Sequence, residues 1–217
     1  MSSSTAPDRL VRRTRIKICG LTREEDVDAA VAAGADALGF VFYPPSPRYV
    51  SVERAAELMA RVPPFVTIVG LFVNAASDEI KRALDRLPIT LLQFHGDEAE
   101  ADCSAHGRPY IRAVRMREGV DLVEYAACFP SARGFLLDAF VDGYGGGGKT
   151  FDWSLVPPTF DRPLILSGGL GPSNVGDAVR RIRPWAVDVS SGVEAAKGIK
   201  DAGAIARFIS GVHDADG

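Results

Sequence analysis

Cysteine is scarce in this chain, three among 217 residues. Cys19, Cys103 and Cys128 form no CxxC pair, and an odd number cannot all be bridged. That excludes a disulfide scaffold and points to a reducing compartment. Charge of one sign is not in excess either. Lys and Arg number 25 against 28 Asp and Glu, a formal charge of −3. A balance this even argues against a nucleic-acid binder, which carries a basic domain or stripe. No apolar run approaches the roughly 18 residues of a membrane helix. The polar, basic start MSSSTAPDRLVRRTR lacks the apolar segment of a signal peptide. The expected location is therefore the cytoplasm. Histidine is rare, with three in the chain, and no His, Cys and carboxylate spacing resembles a zinc site, so no metal is implied.

What is present is an ordinary globular composition, 47% hydrophobic and 24% charged. The length suffices to bury a core without staples. Residues 1–14 read as a flexible extension, 15–210 as one folded body and 211–217 as a frayed tail.

Short β-rich apolar segments recur along the body, at 16–19, 37–42, 66–73, 90–94, 110–114, 134–137, 164–166 and 186–189. Several are continuously apolar, the pattern of parallel strands covered on both faces. The stretches between them carry a 3.6-residue period, as in Val52, Ala55, Ala56 and Met59, or Val175, Ala178, Val179 and Ile182. Thr22 with Glu25, Asp97 with Glu100, Ser51, Ser77 and Pro172 mark expected helix starts. Eight strands alternating with helices fit a single (β/α)₈ barrel, and an open doubly wound sheet uses the same pattern. The sixth unit is the weak one, because Pro157 and Pro158 cut its helix short after 151–156.

In a barrel the chemistry belongs at the C-terminal ends of the strands, with phosphate sites after strands seven and eight. The unusual residues of this chain fall there. Gly168 and Gly169 follow the seventh segment, and Ser191 and Gly192 follow the eighth. Paired loops of this kind let backbone amides approach an anion, and a phosphate monoester is the natural guest. The alternative is that the glycines only make tight turns. Cys19 ends the first segment as either inert packing or a base, the latter when its pKa falls from about 8.5. Asp138 ends the sixth, either as a loop cap or as a general acid. His95 ends the fourth, as a base or as a hydrogen-bonding residue at the mouth. Asp188 lies within the eighth, and its facing is open. Arg48, in the proline-braced YPPSPRYVS, is either a solvated loop residue or a clamp for a carboxylate.

Gly143 to Thr150, GYGGGGKT, also matches the GxxxxGK(S/T) pattern of a nucleotide-binding P-loop. That loop must join a strand directly to a substantial helix. Here the strand ends near Asp138 and the prolines stop the helix, so a Gly-rich lid fits better.

The segments IKICGLT, GFVFYPPSPRYVS, VGLFVN, LLQFHGDE, LLDA, GGKTFDW, LSGGLGPSNV and VDVSSGVE run in order over residues 16–194. Together they resemble the phosphoribosylanthranilate isomerase family of tryptophan biosynthesis. The resemblance implies a (β/α)₈ barrel, an Amadori rearrangement of N-(5-phosphoribosyl)anthranilate, and no metal or organic cofactor. It places the family's catalytic cysteine on Cys19 and its catalytic aspartate on Asp138. It places the phosphate loops on Gly168, Gly169, Ser191 and Gly192, and the anthranilate-carboxylate arginine on Arg48. The implied partner is a small molecule, with neither nucleic acid nor membrane, in a monomer or homodimer. Two departures stand out: Gly147 where the family has Thr, and Lys197 where it has Pro. The competing readings are the sister isomerase of histidine biosynthesis or a dual-substrate barrel, a P-loop protein, and a sugar-phosphate barrel without catalysis.

Overall fold

Eight strands close on themselves in chain order: β1 Arg15–Cys19, β2 Ala37–Val41, β3 Thr67–Phe72, β4 Leu91–Phe94, β5 Tyr110–Met116, β6 Phe135–Ala139, β7 Leu164–Leu166 and β8 Ala186–Val189. Every neighbouring pair is parallel, and β1 pairs with β8 through Lys17 and Asp188. The closed barrel removes the open-sheet alternative. The structure is a computed structural model that describes residues 13–139 and 150–217.

Between the strands lie α1 Glu24–Ala33, α2 Val52–Met59, α3 Ser77–Arg86, α4 Glu100–Ser104, α5 Leu122–Ala127, α6 Val175–Ile182 and α7 Ala202–Asp216. The sixth unit carries only a 3₁₀ turn, Trp153–Leu155. The two prolines that follow it allow no more, since each lacks an N–H and restricts the residue before it. The outer core fills the space between strands and helices, with Phe40, Phe72, Phe94, Phe135 and Phe208 fully enclosed. Each such side chain contributes about 1.5–3 kcal/mol by leaving water. No described helix is long and apolar enough to cross a membrane.

Local chemistry sets the helix starts, and it departs in places from the sequence expectation. Ser51 caps α2 by accepting from the Arg54 N–H at 3.2 Å. Thr22 does not cap α1, because its hydroxyl donates to the Gly198 carbonyl at 2.5 Å. Ala76, one residue before Ser77, precedes α3, and its N–H is held by Glu79 at 3.0 Å. Ala99 plays the same part before α4, bound by Asp102 at 3.2 Å, while Asp97 pairs with Arg115. Pro172 lies in the turn ahead of α6, which starts only at Val175.

The expected frayed tail at 211–217 is also corrected. Helix α7 runs on to Asp216, with Val212 fully buried. Asp216 accepts from both the N–H and the hydroxyl of Thr14, at 2.6 and 2.7 Å. The last turn thus closes over the start of β1, so the barrel unit includes Thr14 and extends past residue 210. Residues 1–12 of the expected extension lie outside the described residues.

Candidate active site

Side chains alternate across a strand, so the pairing register sorts the barrel interior into layers. The lower interior is apolar, with Ile111, Ala113, Leu136, Ile165 and Ala186 packed against Leu91. The layer above it is polar. Lys17, Gln93, Ser167 and Asp188 are buried there. Lys17 Nζ donates to Asp188 Oδ1 at 2.8 Å, and the Ser167 hydroxyl donates to Asp188 Oδ2 at 3.1 Å. Asp188 therefore faces inward, one layer below the mouth. Burial opposes the charge on Lys17, but Asp188 and Cys19 outweigh it and hold its pKa above the usual lysine value.

Cys19 stands at the end of β1, 5% exposed, packed with Val41 and Leu71. Burial pushes its thiol pKa up, Lys17 pulls it down and Asp188 raises it again, for a net increase. Asp138 is the penultimate residue of β6 and faces the same mouth. Its Oδ1 accepts the Ala139 N–H at 2.9 Å, and its Oδ2 lies 3.2 Å from His95 Nε2. That approach is not aligned as a hydrogen bond, and His95 Nε2 remains a buried polar atom without a hydrogen-bond partner. His95 Nδ1 contacts the Gln93 amide at 3.1 Å. His95 is thus a mouth residue beside the acid, and its unsatisfied nitrogen suits a polar guest.

The two glycine loops meet backbone to backbone. A Cβ on Gly192 would sit 1.8 Å from the Leu170 carbonyl oxygen. Gly168 and Gly169 both adopt left-handed φ, at 78° and 65°. A Cβ on Gly168 would also fall 2.5 Å from the Ala139 nitrogen and 3.0 Å from Asp138 Oδ1. Asn174 ties the first loop down, accepting from the Gly171 N–H at 2.8 Å and donating to the Gly169 carbonyl at 3.0 Å. These glycines do more than turn the chain, because they bring the loop after β7 against the acid. Gly192→Ala is expected to force the two loops apart and raise KM at least tenfold with the barrel still folded, as read by steady-state kinetics beside circular dichroism.

Arg48 is not a solvated loop residue: it is buried, and the carboxylate it clamps here belongs to the chain itself. Its Nε and Nη2 donate to the two oxygens of Glu194 at 2.7 and 2.8 Å. Glu194 also accepts from Lys200 Nζ at 2.9 Å. Glu194 and Lys200 lie on the antiparallel hairpin of β9 Glu194–Ala196 and β10 Ile199–Lys200. Gly198 seats this hairpin: its φ is 78°, and a Cβ would lie 2.8 Å from the Pro47 carbonyl. Lys197 is exposed at the turn. Burial opposes ionisation of Glu194, but Arg48 and Lys200 keep it below the ordinary carboxylate range.

Lys17, Gln93, Glu194 and Lys200 were not among the residues expected from the sequence, whereas Ser167 was expected at the end of the seventh strand. Period-two alternation from an inward Cys19 places Lys17 inward too, so that signal was available. The Arg48–Glu194 pairing, across 146 positions, left none. Phe140 to Lys149, including Gly147 and nearly all of the glycine-rich GYGGGGKT run, lie outside the described residues.

A cysteine, an aspartate and two glycine loops thus lie together at the C-terminal end of the barrel. The N-(5'-phosphoribosyl)anthranilate isomerase profile matches residues 16–211. The chain belongs to the phosphoribosylanthranilate isomerase family. It is 69% identical over 204 residues to the N-(5'-phosphoribosyl)anthranilate isomerase of Dechloromonas aromatica, covering 94% of this chain and 98% of that one. The crystal structure of phosphoribosyl anthranilate isomerase from Thermotoga maritima superposes with a TM-score of 0.86 at 44% identity, over 93% of this chain and 99% of the other. A phosphoribosyl anthranilate isomerase in complex with reduced 1-(o-carboxyphenylamino)-1-deoxyribulose 5-phosphate superposes at 0.82 and 42% identity, over 93% and 99%.

Proposed function

We propose that this barrel converts N-(5-phosphoribosyl)anthranilate to 1-(o-carboxyphenylamino)-1-deoxyribulose 5-phosphate in tryptophan biosynthesis, with Asp138 as general acid and Cys19 as general base. The observation that carries the reading is that Cys19 and Asp138 both lie at the C-terminal end of the barrel, with the Gly168 loop against Asp138 and Arg48 packed over Gly20, next to Cys19.

Asp138, protonated, donates to the furanose ring oxygen. The bond from that oxygen to C1 breaks, and the anthranilate nitrogen lone pair forms a protonated imine. The Cys19 thiolate then removes the proton at C2, which the adjacent iminium has acidified. The electron pair left on C2 becomes the C1–C2 double bond and neutralises the nitrogen. The resulting enol ketonises: the C2 hydroxyl loses its proton and C1 gains one, so product and substrate are isomers. The loops after β7 and β8 hold the phosphate through backbone amides, and Arg48 meets the carboxylate at the other end. Fixing both ends of the sugar between acid and base supplies several kcal/mol of the barrier through positioning.

Arg48 has its Nε–Nη2 edge on Glu194, so the substrate carboxylate meets the remaining Nη1 side. Arg48→Gln is expected to raise KM roughly tenfold or more, the loss of a charge-assisted contact, with a smaller change in kcat. An unchanged KM would remove Arg48 from substrate binding. Cell fractionation tests the cytoplasmic location, and light scattering separates a monomer from a homodimer. Turnover of the labile substrate, generated in place, tests the activity itself.

A further inference from the structure

A buried thiol is a poor base, because burial disfavours the thiolate. The site nevertheless places an ammonium against it. Lys17 and Cys19 lie two residues apart on β1 and therefore on one face. A single point above Gly39 Cα, where a Cβ would stand, is 2.8 Å from Cys19 Sγ and 3.0 Å from Lys17 Nζ. The absence of a side chain at Gly39 is what gives the two atoms their shared space. Lys17 is anchored from the other side by Asp188, itself held by Ser167. Both members of the Lys17–Asp188 pair are about 6% exposed. A buried ion pair of this kind contributes little net stability compared with an apolar pair of the same shape. Its presence in the barrel interior calls for another reason.

We propose that Lys17 is a positioning residue for the reaction: its ammonium, fixed by Asp188, stabilises the Cys19 thiolate against the cost of burial, so that the buried thiol can serve as the base. This rests on the reading of Cys19 as the base. Lys17 keeps its proton throughout. The thiol proton leaves to water, and the thiolate later takes the C2 proton of the substrate. The other charged groups acting on Cys19 are Asp188 on β8, Lys200 on β10 and Arg48 in the loop after β2. Lys200 and Arg48 share one carboxylate, Glu194, and Lys200 follows Lys17 in its pull on the thiol. Lys17 is the cation with the strongest pull on the thiol, and Asp188 the opposing anion.

The test is the pH dependence of Cys19 alkylation by iodoacetamide, followed by peptide mass so that Cys103 and Cys128 are counted separately. Lys17→Met is expected to move the Cys19 midpoint upward by at least about one unit and to slow modification near pH 7 about tenfold. The ascending limb of kcat against pH should move with it. Because Lys17→Met strands Asp188, the double variant Lys17→Met with Asp188→Asn is run beside it. Removing both charges spares the barrel an unpaired carboxylate, and the midpoint should still rise, since Lys17 acts on the thiol more strongly than Asp188. A folded variant of either kind with an unchanged or lower midpoint would overturn the proposal. Alkylation needs no substrate. A shifted midpoint beside a fully active Cys19→Ala would therefore uphold the Lys17–Cys19 coupling while removing Cys19 from the base role.

Discussion

Asp138→Asn is expected to lower kcat by roughly 10²–10⁴-fold, the range general acid catalysis supplies, while KM changes little. The amide keeps the shape of the carboxyl and cannot deliver a proton to the ring oxygen. The substitution leaves the rest of the mouth in place, because the side chain is held mainly through Oδ1 and the Ala139 N–H. Without protonation of the ring oxygen no iminium forms, and Cys19 has no acidified proton to remove. Cys19→Ala should produce a loss in the same range by stopping the second step. Because the steps follow one another, the double variant should fall far short of the product of the two losses. Steady-state rates with circular dichroism on each variant check this. A residual rate within tenfold of the intact protein for Asp138→Asn would move the acid to another residue.

The largest stability effect is expected away from the reacting atoms, at Arg112. This side chain is 3% exposed, beneath α5 rather than inside the barrel. Its guanidinium donates to the carbonyls of Phe94 and Gly96 at 2.9 and 2.8 Å and to Glu98 at 3.2 Å. It also lies over the rings of Phe129 and Tyr125, at 5.0 and 6.0 Å. Glu98 in turn accepts the N–H groups of Asn74 and Gly96 at 2.7 and 2.9 Å, joining the loops after β3 and β4. Arg112→Ala strands a buried carboxylate and two carbonyls at once. The expected loss is about 3–5 kcal/mol, a fall in Tm on the order of 10 °C for a chain of this size. The exposed network of Arg54 with Glu24 and Glu57 is the contrast. Arg54→Ala should lower Tm far less than Arg112→Ala, because solvent screens such pairs. Thermal unfolding of both variants decides between burial and the number of ion pairs as the source of stability. The loop that Arg112 braces also carries His95, so its loss should impair turnover as well.

The strands were legible in the sequence because burial on both faces leaves continuous apolar runs. Segments 164–166 and 186–189 coincide with the observed β7 and β8, and the other strands differ by a few residues at their ends. The weak sixth unit was visible in Pro157 and Pro158, whose chemistry is local. Helix starts were less legible. Thr22 and Asp97 have good capping chemistry, but tertiary partners, Gly198 and Arg115, take their side chains. The end of α7 was hidden for the same reason, since Asp216 is held by Thr14 from the far end of the chain.

The residues proposed to react were legible by position, Cys19 and Asp138 each lying at or next to the end of a strand. Their supporting charges were not. Glu194 and Lys200 read as ordinary polar residues near the end of the barrel, and only the hairpin seated on Pro47 brings them to Arg48. Lys17 was legible in part: alternation from an inward Cys19 turns it into the barrel, but its charge partner, Asp188, lies in the neighbouring strand at the other end of the chain.

The most direct test is turnover of N-(5-phosphoribosyl)anthranilate made in place from anthranilate and phosphoribosyl pyrophosphate by a separate transferase. Loss of substrate fluorescence is followed with the intact protein, Cys19→Ala and Asp138→Asn. The account predicts rapid loss with the intact protein and near-complete arrest with either variant. A well-folded intact protein that leaves the fluorescence unchanged would contradict it.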